Sequence, residues 1–447
     1  MISAPPLAGL TTYTEAVHPG LGVDDTVERL RRFVYLESQN VFLLAGYFNF
    51  LPDWEVKGGI SLHLWQDAEH SSWLRNRVTE MRTPPHNLDR VPDPALETFI
   101  GQVRQGATPA EFLTALYRVV KPALLASYRK LLQEAHPLAD QPTRRLLRFI
   151  IQEKEDQLLW AEQAVAALVP ATPEKSAWEA HLAAWLAAAG GVDGSGNRGE
   201  PSQPLRSGVT FPPPQVPRRD ARFPYVWNSR GIVPAPESPV HERLWWMMNV
   251  RLNEMHVSEL IASVITDWKG QPWAFYHDLA RHLWDETRHC MLGEVAFASQ
   301  GIDFTKIPTH TGFAEYPNTT LEPEDRYAFL WGIEQGLMVK SGKQAEVALA
   351  KAGGDELATM FQDFDWADEV LHAQIGRRWL EQKYGSREAM NAAYARVRPA
   401  YEEMKDIDLQ KPDRNWWPEF YATHLKDKNP HPGLTGEATA PSAEGGY

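Results

Sequence analysis

Residues 282–289, HLWDETRH, place an Asp, a Glu, an Arg and two His within eight positions. Glu286 and His289 are three apart, so on a helix they leave the same face one turn from each other. A second Glu-x-x-His, Glu369 and His372, lies in WADEVLHAQ. One such pair is weak evidence, whereas two on different helices of one bundle can converge. Residues equidistant from the turn of an antiparallel hairpin sit at the same level. The turn DWKGQP centres near Gly270, which sets Glu286 opposite Glu254. The turn KAGGDE centres near Gly353, which sets Glu369 opposite position 337, with Glu334 one turn away on the same face. Glu259 competes with Glu254 but lies five residues nearer the turn, and level favours Glu254. Four carboxylates and two imidazoles suit a pair of redox metals: carboxylates bridge hard cations and balance their charge, and neutral imidazoles complete each sphere. Buried without metal, the same six side chains would be costly.

The neighbouring residues have plainer readings. His256 points to another face, beside the ligands or at the surface, and His277 and His282 read as surface or packing histidines. Trp284, Trp331 and Trp366 sit next to candidate ligands; core filling is the simple account and electron relay the sharper one. Cys290 reads as a small core residue.

The elements that must position these groups are helical. Periodic stretches cover about 24–51, Ile60 to Met81, a segment opening at Thr108, and 141–168. Thr108, Pro109 and Glu111 form a capping-box signature, and Pro122 predicts a kink. A short Ala-rich helix at about 174–189 precedes GGVDGSGNRGEPSQP and a Pro-rich run, a composition that reads as a connector. Helices follow at about 240–267, 272–299, 323–351, 355–382 and 386–405. Period-two alternation is too short to suggest a sheet.

The second half repeats the first. ERL recurs at 28 and 242, DW at 53 and 267, HLW at 63 and 282, and FL at 112 and 329, with offsets of 214, 214, 219 and 217. A repeat this long is a duplicated domain rather than a solenoid. The expected architecture is all-α: two tandem four-helix bundles, with a first bundle over 1–170, a linker over 171–239, a metal-binding bundle over 240–410 and a C-terminal extension over 411–447 whose tail after Asn429 is disordered. Aligned with the second half, the first offers Asn40, Asp67, His70, Tyr117, Gln157 and Trp160, with Glu37 one turn from Asn40. It therefore reads as a degenerate copy, a built-in pseudo-subunit that packs as the other half of a dimer would, with Asp67 and His70 a buried hydrogen-bonded pair rather than a metal site.

On these motifs the second half, roughly 240–385, resembles the ferritin-like di-iron carboxylate superfamily. DETRH at 285–289 looks like the Asp-Glu-x-Arg-His of bacterial multicomponent monooxygenases and acyl-carrier-protein desaturases, and DEVLH at 368–372 like the matching run of ribonucleotide reductase small subunits. The resemblance implies metal ligation by Glu254, Glu286, His289, Glu334, Glu369 and His372, with Asp285, Asp368 and Arg288 around them to fix the imidazole rings. It also has departures. Gly293 stands where reductase subunits keep a radical Tyr, and Leu337 and Met338 stand where many hydroxylases carry a Thr. A fused chain of this length does not suit a ferritin cage.

Composition narrows the classes. The chain has 447 residues, 43% hydrophobic, with a net charge of −13, which argues against nucleic-acid binding. A single Cys excludes a disulfide framework or a Cys-rich metal site. No signal-peptide pattern or membrane-length apolar run is present, so a cytoplasmic protein without membrane association is the expectation. The leading expectation is an oxidoreductase in which two Fe ions (or Mn/Fe) activate O2 to oxidise a small organic or acyl substrate, supplied by an external electron donor, in a possible homodimer. The alternatives are a ferroxidase or rubrerythrin-like peroxide scavenger, and a non-catalytic helical scaffold. A substrate-sized apolar pocket beside the metals would favour the first, and a polar path for ions the second.

Overall fold

The structure is a computed structural model and describes residues 4–84, 88–169, 173–206, 213–227, 233–338 and 342–428. Helices dominate, so the fold is all-α. The described strands are one two-residue parallel pair, Tyr225–Val226 (β1) beside Thr309–His310 (β2), where the sequence suggested no sheet. Among the described residues no helix is long and apolar enough to cross a membrane. The chain divides into two compact units, Met1–Pro214 with Gly270–Arg281, and Gln215–Lys269 with His282–Tyr447.

Unit 1 carries α1 (Tyr13–Ala16), α2 (Val23–Phe48), α3 (Trp54–Glu80), α4 (Pro94–Val103), α5 (Pro109–Thr114), α6 (Lys121–Glu134), α7 (Gln141–Leu168) and α8 (Pro173–Ala188). α2 packs along α3, α6 along α7, and α3 against α7. Leu30, Phe33, Leu36, Leu44 and Phe48 of α2 are wholly buried, and each such side chain contributes about 1.5–3 kcal/mol on burial. Thr108 caps α5 by accepting from the Glu111 N–H, but the Glu111 carboxylate reaches back to the Ala107 N–H rather than to Thr108 itself. The kink expected at Pro122 is a π-helical turn over Ala115–Val120. Pro122 has no N–H to give and its ring crowds the carbonyl one turn back, so the ladder widens just ahead of it. The turn leaves Tyr117 and Lys121 both buried.

The Gly-rich run after α8 is pinned, not open. The Arg32 guanidinium, itself buried, donates to the carbonyls of Ala189 (3.0 Å), Gly191 (2.8 Å) and Val192 (2.8 Å) and pairs with Asp93. Lys130 holds Asp193 at 2.8 Å. The carbonyls of a chain with almost no apolar side chains are thus satisfied by one buried cation.

Unit 2 carries α9 (Val240–Leu252), α10 (Met255–Asp267), α11 (Trp273–Ala298, from His282 onward), α12 (Gly312–Thr320), α13 (Pro323–Leu337), α14 (Lys343–Ala352), α15 (Glu356–Tyr384), α16 (Arg387–Leu409) and α17 (Trp417–Phe420). The tail expected to be disordered, from Asn429, lies outside the described residues. The helix expected over 240–267 is broken at Asn253–Glu254. The Asn253 amide donates to the Asn249 carbonyl (2.8 Å) and accepts from the His310 N–H (2.6 Å), while the Glu254 N–H turns to Arg251 at 2.9 Å. A side chain that competes for backbone groups interrupts the ladder where it does so. The helix expected over 323–351 likewise ends at Leu337 and restarts at Lys343.

α10 and α11 are clasped by Ser258, which bonds the Leu283 carbonyl (3.1 Å) and Thr287 (2.9 Å). Further along α11, Gly293 lets the end of α9 come close; a Cβ there would overlap the Leu252 backbone. Close approach is therefore the physical reason for glycine at position 293.

Arg32→Ala should release residues 189–196. Limited proteolysis followed by mass spectrometry should find this run resistant in the unaltered protein and cut early in the variant.

Candidate metal centre

Two helices of unit 2 carry the same spacing. α11 presents His282, Glu286 and His289, and α15 presents Asp365, Glu369 and His372; in each the members stand at i, i+4 and i+7 on one face. Glu334 comes from α13, and Glu254 from the break between α9 and α10. All eight side chains are buried. They form two groups, each with donor atoms within 4.8 Å of one another: His282, Glu286, Glu334 and His372; and Glu254, His289, Asp365 and Glu369.

The imidazoles of His289 and His372 are oriented alike. His289 turns Nε2 to Asp368 at 3.1 Å and Nδ1 toward Asp365 (3.4 Å), Glu254 (3.6 Å) and Glu286 (3.8 Å). His372 turns Nε2 to Asp285 at 3.3 Å and Nδ1 toward Glu286 (3.2 Å) and Glu369 (3.8 Å). Each aspartate therefore braces the histidine of the other helix, not its own. Arg288 ties the two braces together, donating to Asp285 (2.6 Å) and Asp368 (2.7 Å). An imidazole fixed through one nitrogen and facing carboxylates with the other is the arrangement metal ligation requires. His282 stacks on His372 with ring centroids 3.8 Å apart, its Nε2 lying 2.8 Å from Glu334 and 3.3 Å from Glu286.

The donor set fits metal ions on two counts. First, Glu254 Oε2, Glu369 Oε2, and Nδ1 of His289 and His372 are buried without a hydrogen-bond partner among the described residues. Orphaned polar atoms are rare in protein interiors, and four around one centre ask for a shared partner. Second, the charges do not cancel. The carboxylates of Glu254, Asp285, Glu286, Glu334, Asp365, Asp368 and Glu369 number seven, and the cations paired with them, Arg251, Arg288 and Lys343, number three. The excess is four negative charges, which two divalent ions would neutralise. Glu346, 3.9 Å from Arg251 and Lys343, is partly solvent-exposed and adds a weaker, screened charge.

Protons carry the imbalance otherwise. Burial disfavours charge on His289, yet the carboxylates of Asp365, Asp368, Glu286 and Glu254 outweigh it and raise its pKa to about 10. Burial, with Glu286 and Asp365 nearby, pushes Glu254 up to about 8 against the pull of Arg251 and His289. His372 is raised well above the usual imidazole value against its burial by Asp285, Glu286 and Glu369.

Unit 1 solves the same problem with lysines. Glu37, Asp67 and His70 also lie within 4.8 Å of one another. Lys154 bridges Glu37 (2.8 Å) and Asp67 (2.6 Å), and Lys121 holds Asp67 (2.6 Å) and the Gln157 amide oxygen (2.7 Å). Glu37, Asp67, Lys121 and Lys154 are all wholly or almost wholly buried, and two negative charges meet two positive ones. Tyr128 donates to Glu37 at 2.6 Å, and His70 reaches Glu153 at 2.7 Å. Burial opposes ionisation of Asp67, but Lys121 and Lys154 hold it well below the usual carboxylate range; burial lowers Lys121 to about 8 despite Asp67. Of the other aligned positions, Asn40 is buried beside Glu37, Tyr117 bonds His63 at 2.6 Å, and Trp160 meets the His63 ring edge-on.

The structure thus brings together all six residues singled out as ligands, Glu254, Glu286, His289, Glu334, Glu369 and His372, with Asp285, Asp368 and Arg288 around them. Glu259 is not among them; it pairs with Arg219 at 2.6 Å. His256 lies buried beside His310 and Phe313, and His277 pairs with Glu69 at 2.9 Å. His282 requires correction: it is wholly buried in the cluster, not a surface or packing residue. A signal was present, because His63, Asp67 and His70 repeat the spacing of His282, Glu286 and His289. Asp365, also missed, lies one turn before Glu369 on the same face. Lys121 and Lys154 carried no such signal, since a lone helical lysine reads as a solvated charge.

The chain belongs to the family described as proteins of unknown function DUF455, whose model matches residues 174–414. That span takes in all eight members of the unit 2 cluster and none of Glu37, Asp67 or His70. No curated protein and no solved structure matches the chain.

Lys154→Met should cost about 3–5 kcal/mol, because it strands Glu37 and Asp67 with one cation between them. Urea denaturation checks this; an unchanged midpoint would mean that Lys154 does not neutralise the pair.

Proposed function

We propose that unit 2 holds a dinuclear metal centre of the ferritin-like di-iron kind and that the protein is a non-haem oxidoreductase using O2. On this reading α10, α11, α13 and α15 are the helices of the metal-bearing bundle, and unit 1 is its degenerate copy. The observation that carries the proposal is the convergence of four orphaned buried donor atoms on a centre with four uncompensated negative charges. When bound, a pair of iron ions supplies the one-electron steps that amino-acid side chains lack.

The chain's own residues have distinct tasks in this reading. Glu254, Glu286, His289, Glu334, Glu369 and His372 hold the ions, with His282 and Asp365 available to complete the spheres. Asp285 and Asp368 keep the ring N–H on Nε2 and leave Nδ1 of His372 and His289 free to donate to metal. Leu330, Ile333 and Leu337 wall the centre and limit water. One Cys, buried, supplies no cluster for electron storage, so the reductant is a separate molecule.

The cavity at the centre favours a second reading beside the first. Its volume is about 40 Å³, and His256, His310 and Asn253 line it together with the apolar side chains. That admits O2, water or peroxide but no acyl chain. A ferroxidase or peroxide-reducing role needs no more room, whereas oxidation of an organic substrate requires the wall to open.

Purified protein titrated anaerobically with excess Fe(II) should bind about two ions per chain and develop a near-ultraviolet absorption on exposure to air. Glu369→Ala should lose bound iron, while Asp67→Asn should leave iron content intact. Four tightly held ions per chain would make unit 1 a second site, and loss of iron from folded Asp67→Asn would move the metals there.

A further inference from the structure

The eight candidate donors fall into two positions that differ in one respect beyond their chemistry. In the first position, the carboxylates of Glu286 and Glu334 face only imidazoles: His282 lies 3.3 and 2.8 Å from them, and His372 lies 3.2 Å from Glu286. Among the described residues no Lys or Arg nitrogen is paired with either carboxylate. In the second position, every carboxylate already has a buried cation. Arg251 lies 3.0 Å from Glu254 and pairs with Asp365. Lys343 Nζ lies 2.8 Å from Asp365 and 2.9 Å from Glu369. Neither cation can swing freely into water, since Arg251 and Lys343 are both about as buried as the core.

We infer that the two metal positions are unequal, the first binding its ion tightly and the second weakly, and that the Lys343 ammonium is the group that weakens the second. The inference rests on the dinuclear reading above. An incoming divalent ion at the second position meets two fixed positive charges in a low-dielectric interior, where like charges repel most strongly. It must also share Asp365 and Glu369 with the Lys343 ammonium, whose hydrogen bonds to them are charge-assisted. The first position presents neither obstacle and adds a second imidazole. Unit 1 displays the same device carried to completion: Lys154 bridges Glu37 and Asp67 as Lys343 bridges Asp365 and Glu369, and Lys121 removes the last uncompensated charge. The consequence for function is a chain that holds one ion under scarce metal and becomes dinuclear only when metal is plentiful.

The test is calorimetric titration of the full-length protein with Co(II) under argon, followed in parallel by visible absorption. Two sequential steps separated by roughly tenfold or more are expected. Lys343→Met should tighten the second step by on the order of ten- to a hundredfold and leave the first unchanged. Lys343→Gln, which keeps a donor but removes the charge, should do the same and guards against a packing fault in the Met variant. His282→Ala should weaken the first step alone. A single step of two equal ions, or a second step that neither Lys343 variant alters, overturns this inference and leaves the dinuclear reading standing. Absence of Co(II) binding by every variant and by the unaltered protein removes both.

Discussion

Negative charge that cannot reach water governs the interior of unit 2. Carboxylates placed on facing helices at one level are carried into the core by the apolar residues around them, because the helices pack through Leu260, Ile261, Leu283 and Leu330 whatever their polar faces hold. Once there, each charge must find a cation, a proton or a strong hydrogen bond, since an isolated ion in the interior costs more than a small domain's whole stability. Arg251, Arg288 and Lys343 answer part of this demand, and the carboxylates around His289 and His372 raise the pKa of both rings. The remainder is left unsatisfied by the chain's own cations.

The two units are two answers to that constraint. In unit 1 a lysine ammonium sits between Glu37 and Asp67 and a second closes the account with Gln157. Such a network is neutral and hydrogen-bonded, so it holds helices α2, α3, α6 and α7 in place without any exogenous partner. Unit 2 keeps more acids than cations and spreads them over four helical segments. Its interior therefore needs protons or an added cation to balance the charge that its own residues leave over.

Precision comes from what surrounds the donors. The exchange of braces between Asp285 and Asp368, each holding the other helix's histidine, makes the positions of α11 and α15 interdependent, and Arg288 locks the pair. A shift of either helix would loosen both rings at once. The break at Asn253–Glu254 falls at one of the donors: Glu254 stands at the irregular turn, its carboxylate 3.0 Å from Arg251 and 3.6 Å from His289. The glycine at 293 and the Ser258 clasp bring α9, α10 and α11 close enough for that reach.

Much of this was legible in the sequence because it depends on helical period and on turns. The Glu-x-x-His spacings, the level of Glu254 and Glu334 across their hairpins, and the helical content follow from 3.6 residues per turn and from Gly and Pro punctuation, which are local properties of the chain. The non-ligand side chains at Asn40, Tyr117 and Gln157, where the proposed alignment of the two halves sets them against the second half's acids, could equally be read from the sequence. Other features were decided only by tertiary packing. That Lys343 and Lys154 bury their ammonium groups against acids, and that Arg32 fastens a glycine-rich run, depend on which face of a helix its neighbours cover and on segments distant in sequence. Periodicity fixes which side chains share a face, but burial and charge pairing are set by what lies opposite, and no local spacing encodes that.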